Sequence, residues 1–181
     1  IDQAWLYNAV YPVVVDPTFG NTTMGASEIT GTGRIRAKIN SPASAGTADS
    51  ISVAIHTGGD LSKAALYLAD GSSLLTPQTA EITTTGGGTW NTFNFSGGPA
   101  ITVQDYAISV MLDLDTLRGD AGGVSGNSKF LTKTYGAWES SVTFSNSTTI
   151  YSVYATYTAR NLLPAGTLKV LNGVLNIKSN V

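Results

Sequence analysis

The feature that most constrains this chain is an alternation of apolar and polar residues with a period of two between Ser50 and Asp115. Successive side chains of a strand point to opposite faces, so the alternation predicts strands with one buried face. The longest alternating run lies just before Asp113. We predict burial of one set of residues (Phe93, Phe95, Tyr106, Ile108, Val110 and Leu112) and greater exposure of Ser109 and Asp113.

Turn signals separate these runs at regular intervals. Asp70-Gly71 lies between two apolar runs and suits a tight hairpin, because both residues tolerate a positive φ. No segment combines a helix start signal with a sustained helical period. We predict an all-β chain, an antiparallel β-sandwich of jelly-roll type over residues 1–161, with a linker and a C-terminal β-hairpin over 162–181.

The strand and loop boundaries follow from the same signals. We expect strands at residues 34–40, 61–68, 80–85, 90–95, 101–103, 106–113 and 150–157, and short irregular strands at 130–135 and 141–144. Glycine and small residues predict loops at 19–33, 43–48 and 116–127.

The tail is predicted to turn at Asn172-Gly173, a preferred pair for a two-residue hairpin. That register places Leu171 opposite Val174, with two further apolar pairs: Val170 with Leu175, and Leu168 with Ile177. These two pairs form one apolar face, which an isolated hairpin would leave in water. We expect another subunit to cover it, and the chain's own sandwich is the alternative.

The first apolar run, residues 4–15, is nearly continuous, as in strands that are covered on both faces. We therefore expect Trp5, Tyr7 and Val10 to contact a neighbouring subunit. Together with the tail face they form the predicted subunit interface, and they indicate a homo-oligomer or other subunits of the same assembly as partners.

Composition excludes several classes of function. Without cysteine there is neither a disulfide framework nor a thiolate metal site. The net charge of −2 argues against nucleic acid as a partner, and no apolar run is long enough to span a membrane.

Arg34, Arg36 and Lys38 alternate and so share one strand face. A solvated face is the usual interpretation of such a stripe, and binding of an anionic ligand is the alternative.

Several segments resemble the jelly-roll, carbohydrate-binding-like β-sandwich modules of phage virion and prokaryotic surface proteins. They are Tyr11–Gly20, Ala65–Gly71, Trp90–Phe95, Ile150–Thr158 and, in the tail, Leu168–Val174, which is similar to short K-x-x-x-G repeats. The resemblance implies a β-sandwich in an extracellular or virion-surface setting. Its motifs carry no known catalytic residues. We expect no cofactor, with Ca²⁺ as the one possible exception.

The candidate catalytic residues are sparse. His56 is the sole histidine, so any Ser-His-Asp triad or histidine metal site would have to use it. A polar residue at a strand end is the simpler interpretation. Glutamates occur at only three positions, Glu28, Glu81 and Glu139, in separate segments, which argues against a glycosidase pair. We expect no enzymatic activity.

Two binding sites are suggested instead. Asp113, Asp115 and Asp120 lie where a strand runs into a glycine-rich loop, and their oxygen atoms would suit Ca²⁺. Solvated turn acids are the alternative. Trp138, beside Tyr135, could stack on a sugar, whereas packing in the core is the alternative for this residue.

Two hypotheses of function remain. The first is a non-enzymatic structural or adhesive module of an extracellular assembly, either a virion surface protein or a filament subunit, joined through its terminal strands. The second is a carbohydrate-binding module that recognises surface glycans.

Overall fold

We describe the chain from a computed structural model. It covers residues 17–160 and two short strands in the tail, at 169–171 and 174–176. Within these residues there is no helix, and hence none that could cross a membrane. The predictions for residues 4–15, including Trp5, Tyr7 and Val10, lie outside the described residues.

Fourteen of the strands form two antiparallel sheets. The first sheet has eight: β1 (Thr18–Gly20), β2 (Ser27–Thr30), β4 (Gly46–Thr57), β7 (Thr89–Asn94), β8 (Ala100–Ile101), β10 (Thr116–Asp120), β13 (Ile150–Tyr151) and β14 (Val153–Ala159). The second has six: β3 (Arg34–Asn40), β5 (Leu61–Leu68), β6 (Ile82–Thr83), β9 (Tyr106–Leu112), β11 (Ser128–Thr132) and β12 (Ser145–Ser147). In the tail, β15 (Lys169–Leu171) pairs with β16 (Val174–Asn176).

Sequence-distant strands are neighbours in both sheets. The first sheet runs β1-β14-β4-β10-β13, with β2 on β10 and with β7 and β8 on β4. The second runs β12-β11-β3-β9-β5-β6. The pairing of Phe19 with Ala155 brings the first described strand beside the last strand of the sandwich. The antiparallel β-sandwich is confirmed, and its strand order is compatible with the jelly-roll type.

The main core lies between the two sheets and follows the predicted alternation. Tyr106, Ile108, Val110 and Leu112 are all buried there, and so is Phe93. Phe95 is only half-buried and packs against the margin of this core. Burial of each large apolar side chain contributes about 1.5–3 kcal/mol to folding, so these strands stabilise the sandwich together.

The prediction that Ser109 is exposed is wrong, because the outer face of the second sheet is also covered. Ser109 is fully buried, next to Ala107 on that face. Residues 135–144, which we call the cover segment, cross the outer face and form a second apolar cluster around Tyr67. The Val142 N–H donates to the Gly71 carbonyl at 2.8 Å, and the Tyr67 hydroxyl donates to the Glu139 carbonyl at 2.7 Å.

Several predicted boundaries require correction. The predicted loop at 116–127 begins with β10, the one at 19–33 contains β2, and the one at 43–48 already includes the start of β4. Their glycines misled the sequence interpretation, because Gly25 and Gly119 allow close contact between backbones. A Cβ on Gly25 would come within 2.6 Å of the Gly119 backbone. The predicted strand at 141–144 belongs instead to the irregular cover segment.

Both predicted hairpins form. At the first, the Gly71 N–H donates to the Leu68 carbonyl at 2.8 Å, and Gly71 has a φ of +81°. In the tail, Val170 lies opposite Leu175 and Leu171 opposite Val174, the predicted register. The third predicted pair, Leu168 with Ile177, lies outside the described residues.

Candidate ligand-binding site

An open pocket of about 500 Å³ lies where the cover segment meets the outer face of the second sheet. Pockets of this size hold small ligands or one to a few sugar rings. It is lined by Lys63, Leu74, Gln78, Thr79, Glu81, Ala137 and Trp138.

The alternation in β5 places Lys63 at this pocket. Ala64 and Leu66 point into the main core, so Lys63 and Tyr67 point to the outer face. β5 forms one wall of the pocket, and residues 78–81, which Thr79 holds against β5, form another. The Ala64 N–H donates to the Thr79 hydroxyl at 2.9 Å, and that hydroxyl donates to the Ala64 carbonyl at 3.0 Å.

Three polar side chains are connected at the rim. Tyr135 donates its hydroxyl proton to the Glu81 carboxylate in a short hydrogen bond. The Lys63 ammonium lies 3.8 Å from the same carboxylate and 4.7 Å from the centre of the Tyr135 ring. Burial, followed by the hydrogen bond to Glu81 and nearby negative charges, raises the pKa of Tyr135 well above its usual value. Tyr135 therefore stays a neutral donor at physiological pH.

Trp138 is half-buried and contributes both to the packing around Tyr67 and to the wall of the pocket. Its ring packs edge-on against Tyr67, with ring centres 6.0 Å apart, and it also lines the pocket. The indole N–H is buried and has no acceptor among the described residues. Trp138 thus packs against the second apolar cluster, which is the alternative that the sequence left open, while stacking on a sugar stays a prediction.

The structure brings the two predicted ligand-binding residues to one place. Trp138 lines the pocket, and Tyr135 reaches it through Glu81. Sequence analysis missed Lys63, Gln78 and Glu81. For Lys63 the signal was available, because it is the polar position on the outer face of a recognised strand. Glu81 and Gln78 follow a Thr-Pro break, where nothing local indicates which way the side chains point.

The three predicted calcium ligands are not brought together. Asp115 is buried and accepts hydrogen bonds from the Asp60 N–H (3.2 Å), the Ser62 hydroxyl (3.0 Å) and the Thr84 hydroxyl. At the far end of β10, the Asp120 carboxylate accepts a bond from the Ala26 N–H at 2.9 Å. In residues 17–160 no three acidic or histidine side chains are grouped to hold a metal ion. Asp115 instead ties together the loops at that end of the sandwich.

The lone histidine pairs with a glutamate. His56 Nε2 of β4 lies 3.2 Å from the carboxylate of Glu28 in β2, on the outer face of the first sheet and across the intervening strand β10. The other two glutamates face lysines, Glu81 with Lys63 and Glu139 with Lys133. Each glutamate thus pairs with a different nitrogen-bearing side chain, and none of these three pairs joins two glutamates.

Comparisons with known proteins show a likeness of fold. No family model matches the chain, and no curated protein matches it in sequence. A solved structure of the clostridial cysteine protease Cwp84 after propeptide cleavage is similar, with a TM-score of 0.60 and 14% identity over 80% of this chain. A second structure holds the cysteine protease and lectin-like domains of Cwp84, a surface layer associated protein of Clostridium difficile. It gives a TM-score of 0.61 at 15% identity, again over 80% of this chain. The chain spans only 40% and 36% of those two chains, and at such identity the likeness shows a shared β-sandwich fold.

Proposed function

We propose that this chain is a non-enzymatic module of an extracellular surface that binds carbohydrate in the pocket beneath the cover segment. The observation that carries the proposal is the composition of the pocket wall, where Trp138 and a set of hydrogen-bonding side chains line the same pocket. Of the two hypotheses from the sequence, the pocket supports carbohydrate binding.

The chemistry of the pocket suits a neutral sugar. An indole ring covers the apolar face of a pyranose, while amide, hydroxyl, carboxylate and ammonium groups bond its hydroxyls. Gln78, Glu81 and Lys63 supply such groups. The carboxylate and the ammonium are 3.8 Å apart and largely balance each other, so the pocket presents both donors and acceptors without a strong net charge.

The structural neighbours support this proposal. The second Cwp84 structure includes a lectin-like domain, and Cwp84 is surface layer associated. The 181 residues here contain no cysteine, so this stretch cannot itself supply the nucleophile of a cysteine protease. We therefore carry over the setting and the lectin-like role to the proposal, and not the protease activity.

The test is a glycan array followed by calorimetry with the best glycan. Trp138→Ala should abolish detectable binding, because it removes the stacking surface. Trp90→Ala is the matched control, since Trp90 is also half-buried but packs on Tyr154 at the outer face of the first sheet.

Because Trp138→Ala also weakens the cover segment, a second variant is needed. Glu81→Gln preserves the shape of the pocket and removes only the carboxylate charge, and we expect roughly tenfold weaker binding. The proposal is wrong if no glycan binds, or if Trp138→Ala and Glu81→Gln bind as well as the unaltered protein.

The tail supports a second role, in assembly. β15 and β16 pair in the register that places Val170 opposite Leu175. We propose that this hairpin and the first apolar run join copies of the chain or other subunits of the assembly, through Trp5, Tyr7, Val10, Leu168, Val170, Leu175 and Ile177. Truncation after Leu163 should convert oligomers into monomers in light scattering. Oligomers that persist with only a lower melting temperature would instead show that the hairpin packs on its own domain.

A further inference from the structure

Three cations share one face of β3, and that face is not the solvated one expected from the sequence. Arg36 pairs with Val110 and Lys38 with Ile108, both of which point into the main core. Arg34, Arg36 and Lys38 therefore point toward the first sheet, near the β11-β12 side of the sandwich. All three are half-buried. We call these three residues the basic stripe.

An aromatic ring holds the two guanidinium groups of the stripe. Arg34 and Arg36 lie 5.2 and 5.7 Å from the centre of the Phe130 ring, which β11 places opposite Arg36. Arg36 is fixed further, because it donates to the Thr30 carbonyl and, at 3.0 Å, to the Tyr151 hydroxyl. Such contacts restrict the guanidinium groups before any ligand binds, which lowers the entropic cost of binding.

The stripe has no counter-ion among residues 17–160. The ion pairs found there use His56, Lys63 and Lys133, and none uses a residue of the stripe. Among the described residues Lys38 donates only to the Asn127 carbonyl, at 3.0 Å, and burial lowers its pKa. The side chain of Arg34 makes no hydrogen bond to the described residues. Three of the ten basic residues of an overall acidic chain thus lie half-buried on one strand, with no acidic partner in the part of the chain that the structure describes.

We propose that the basic stripe binds an anionic polysaccharide, one that carries carboxylate or sulfate groups at regular intervals. Alternate residues of a strand are about 6.6 Å apart, so the stripe spans roughly 13 Å, which matches a few sugar units. The planar fork of arginine pairs with carboxylate or sulfate oxygens through two parallel hydrogen bonds. The guanidinium of Arg34 lies over the Phe130 ring and makes no hydrogen bond to the described residues, so its N–H groups can form such a pair.

Polysaccharide fits the stripe better than nucleic acid does. Single-stranded nucleic acid is bound by aromatic faces that stack on bases, together with a broad basic groove. Here two aromatic rings at the stripe, Phe130 and Tyr151, already lie against its guanidinium groups, and the chain has a net charge of −2.

The stripe is separate from the pocket. The pocket lies on the outer face of the second sheet, and the stripe on the face turned toward the first sheet. A variant of one site should leave the other unchanged, so the failure of either proposal can be recognised independently.

The test measures binding of four polymers to the whole chain by calorimetry at low salt. Heparin carries sulfates and carboxylates, polygalacturonate carries carboxylates alone, dextran is neutral, and a single-stranded oligonucleotide carries phosphates. We expect heparin and polygalacturonate to bind, dextran not to bind, and affinity to fall as salt is raised. The ratio of the affinity for heparin to the affinity for polygalacturonate shows whether sulfate or carboxylate is preferred.

The double variant Arg34→Gln/Lys38→Gln should weaken binding of both anionic polysaccharides roughly tenfold or more. Lys129→Gln is the matched control: it removes one positive charge from β11, next to the stripe but on the opposite face. Trp138→Ala should not affect this binding. Arg36 is left unchanged because its hydrogen bonds stabilise the fold, and circular dichroism checks that each variant is folded.

Three results would overturn the proposal. They are an absence of binding by both anionic polysaccharides, a loss in Lys129→Gln as large per charge as in the double variant, and tighter binding of the oligonucleotide than of either polysaccharide. The second result would indicate diffuse attraction, and the third would favour nucleic acid.

Discussion

The two sheets close their outer faces in different ways. On the first sheet, β4 presents small residues that are buried beneath side chains of its neighbours. Trp90 and Tyr154 pack edge-on with ring centres 5.0 Å apart, and hydroxyl pairs such as Ser52 with Thr92 (3.0 Å) bridge adjacent strands. On the second sheet, the cover segment lies across the strands and adds an apolar layer around Tyr67.

The difference shows what a period of two can and cannot predict. Alternation identifies which residues share a face, and both sheets obey it. It does not predict whether the opposite face meets solvent, its own side chains or another piece of the chain. The candidate pocket lies on the second sheet, where a separate segment leaves a gap at its margin.

The largest effect should come from the core that both sheets share. Ile108→Ala removes a fully buried side chain between the sheets, and we expect a loss of about 2–5 kcal/mol in the free energy of unfolding, measured by urea denaturation. Ile108→Val should cost about 0.5–1.5 kcal/mol. A loss below about 1 kcal/mol for the alanine variant would mean that the sheets do not depend on this contact.

A smaller loss is expected from the cover segment. Phe144 is half-buried and packs edge-on against Tyr67 at 5.8 Å. Phe144→Ala should therefore cost about 1–3 kcal/mol, less than a fully buried aromatic residue. Phe144→Leu, which keeps most of the apolar volume, should recover part of this. Equal losses in the free energy of unfolding for Ile108→Ala and Phe144→Ala would contradict the expectation that the main core stabilises the fold more than the cover segment does.

Tyr67 offers a test by pH. Burial, and then the charge of Glu139, raises the pKa of Tyr67 to about 12, above its ordinary value near 10. The unfolded chain therefore loses this proton at lower pH than the folded chain does, so stability should fall as pH rises from about 10 to 12. Tyr67→Phe should cost about 0.5–1.5 kcal/mol at neutral pH through its hydrogen bond and should flatten this alkaline decline. Tyr135, whose pKa is also raised, supplies the remaining decline. An unchanged pH profile in Tyr67→Phe would contradict the assignment.

The smallest effect is expected on the outer face of the first sheet. Ser52→Ala/Thr92→Ala removes both partners of one hydroxyl pair at once and leaves neither unsatisfied. The change in the free energy of unfolding should stay within about 0.5 kcal/mol. A loss above about 1.5 kcal/mol would show that this face contributes to stability as much as the cover segment does.

Much of the fold could be predicted from local signals. The strands at 34–40 and 61–68 were predicted with the bounds that the structure shows, because alternation and flanking turn residues agree there. β10 is not predicted because Gly119 and the glycines that follow the strand resemble a loop, although Gly119 instead permits close approach of a neighbouring strand. For the site, Trp138 and Tyr135 were recognisable as aromatic residues in an irregular segment. Their partner Glu81 lies 54 positions away from Tyr135, and no local pattern connects the two.

By itself, the sequence determined the all-β class, the faces of the long strands, the turn at Gly71 and the register of the tail hairpin. These properties depend on the conformation of a few neighbouring residues. Only the tertiary structure decided that Ser109 is buried, that Asp115 bonds to neighbouring loops, and that the basic stripe points toward the first sheet. Each of these depends on which distant segment lies opposite, and that is set by the packing of the whole sandwich rather than by any local pattern.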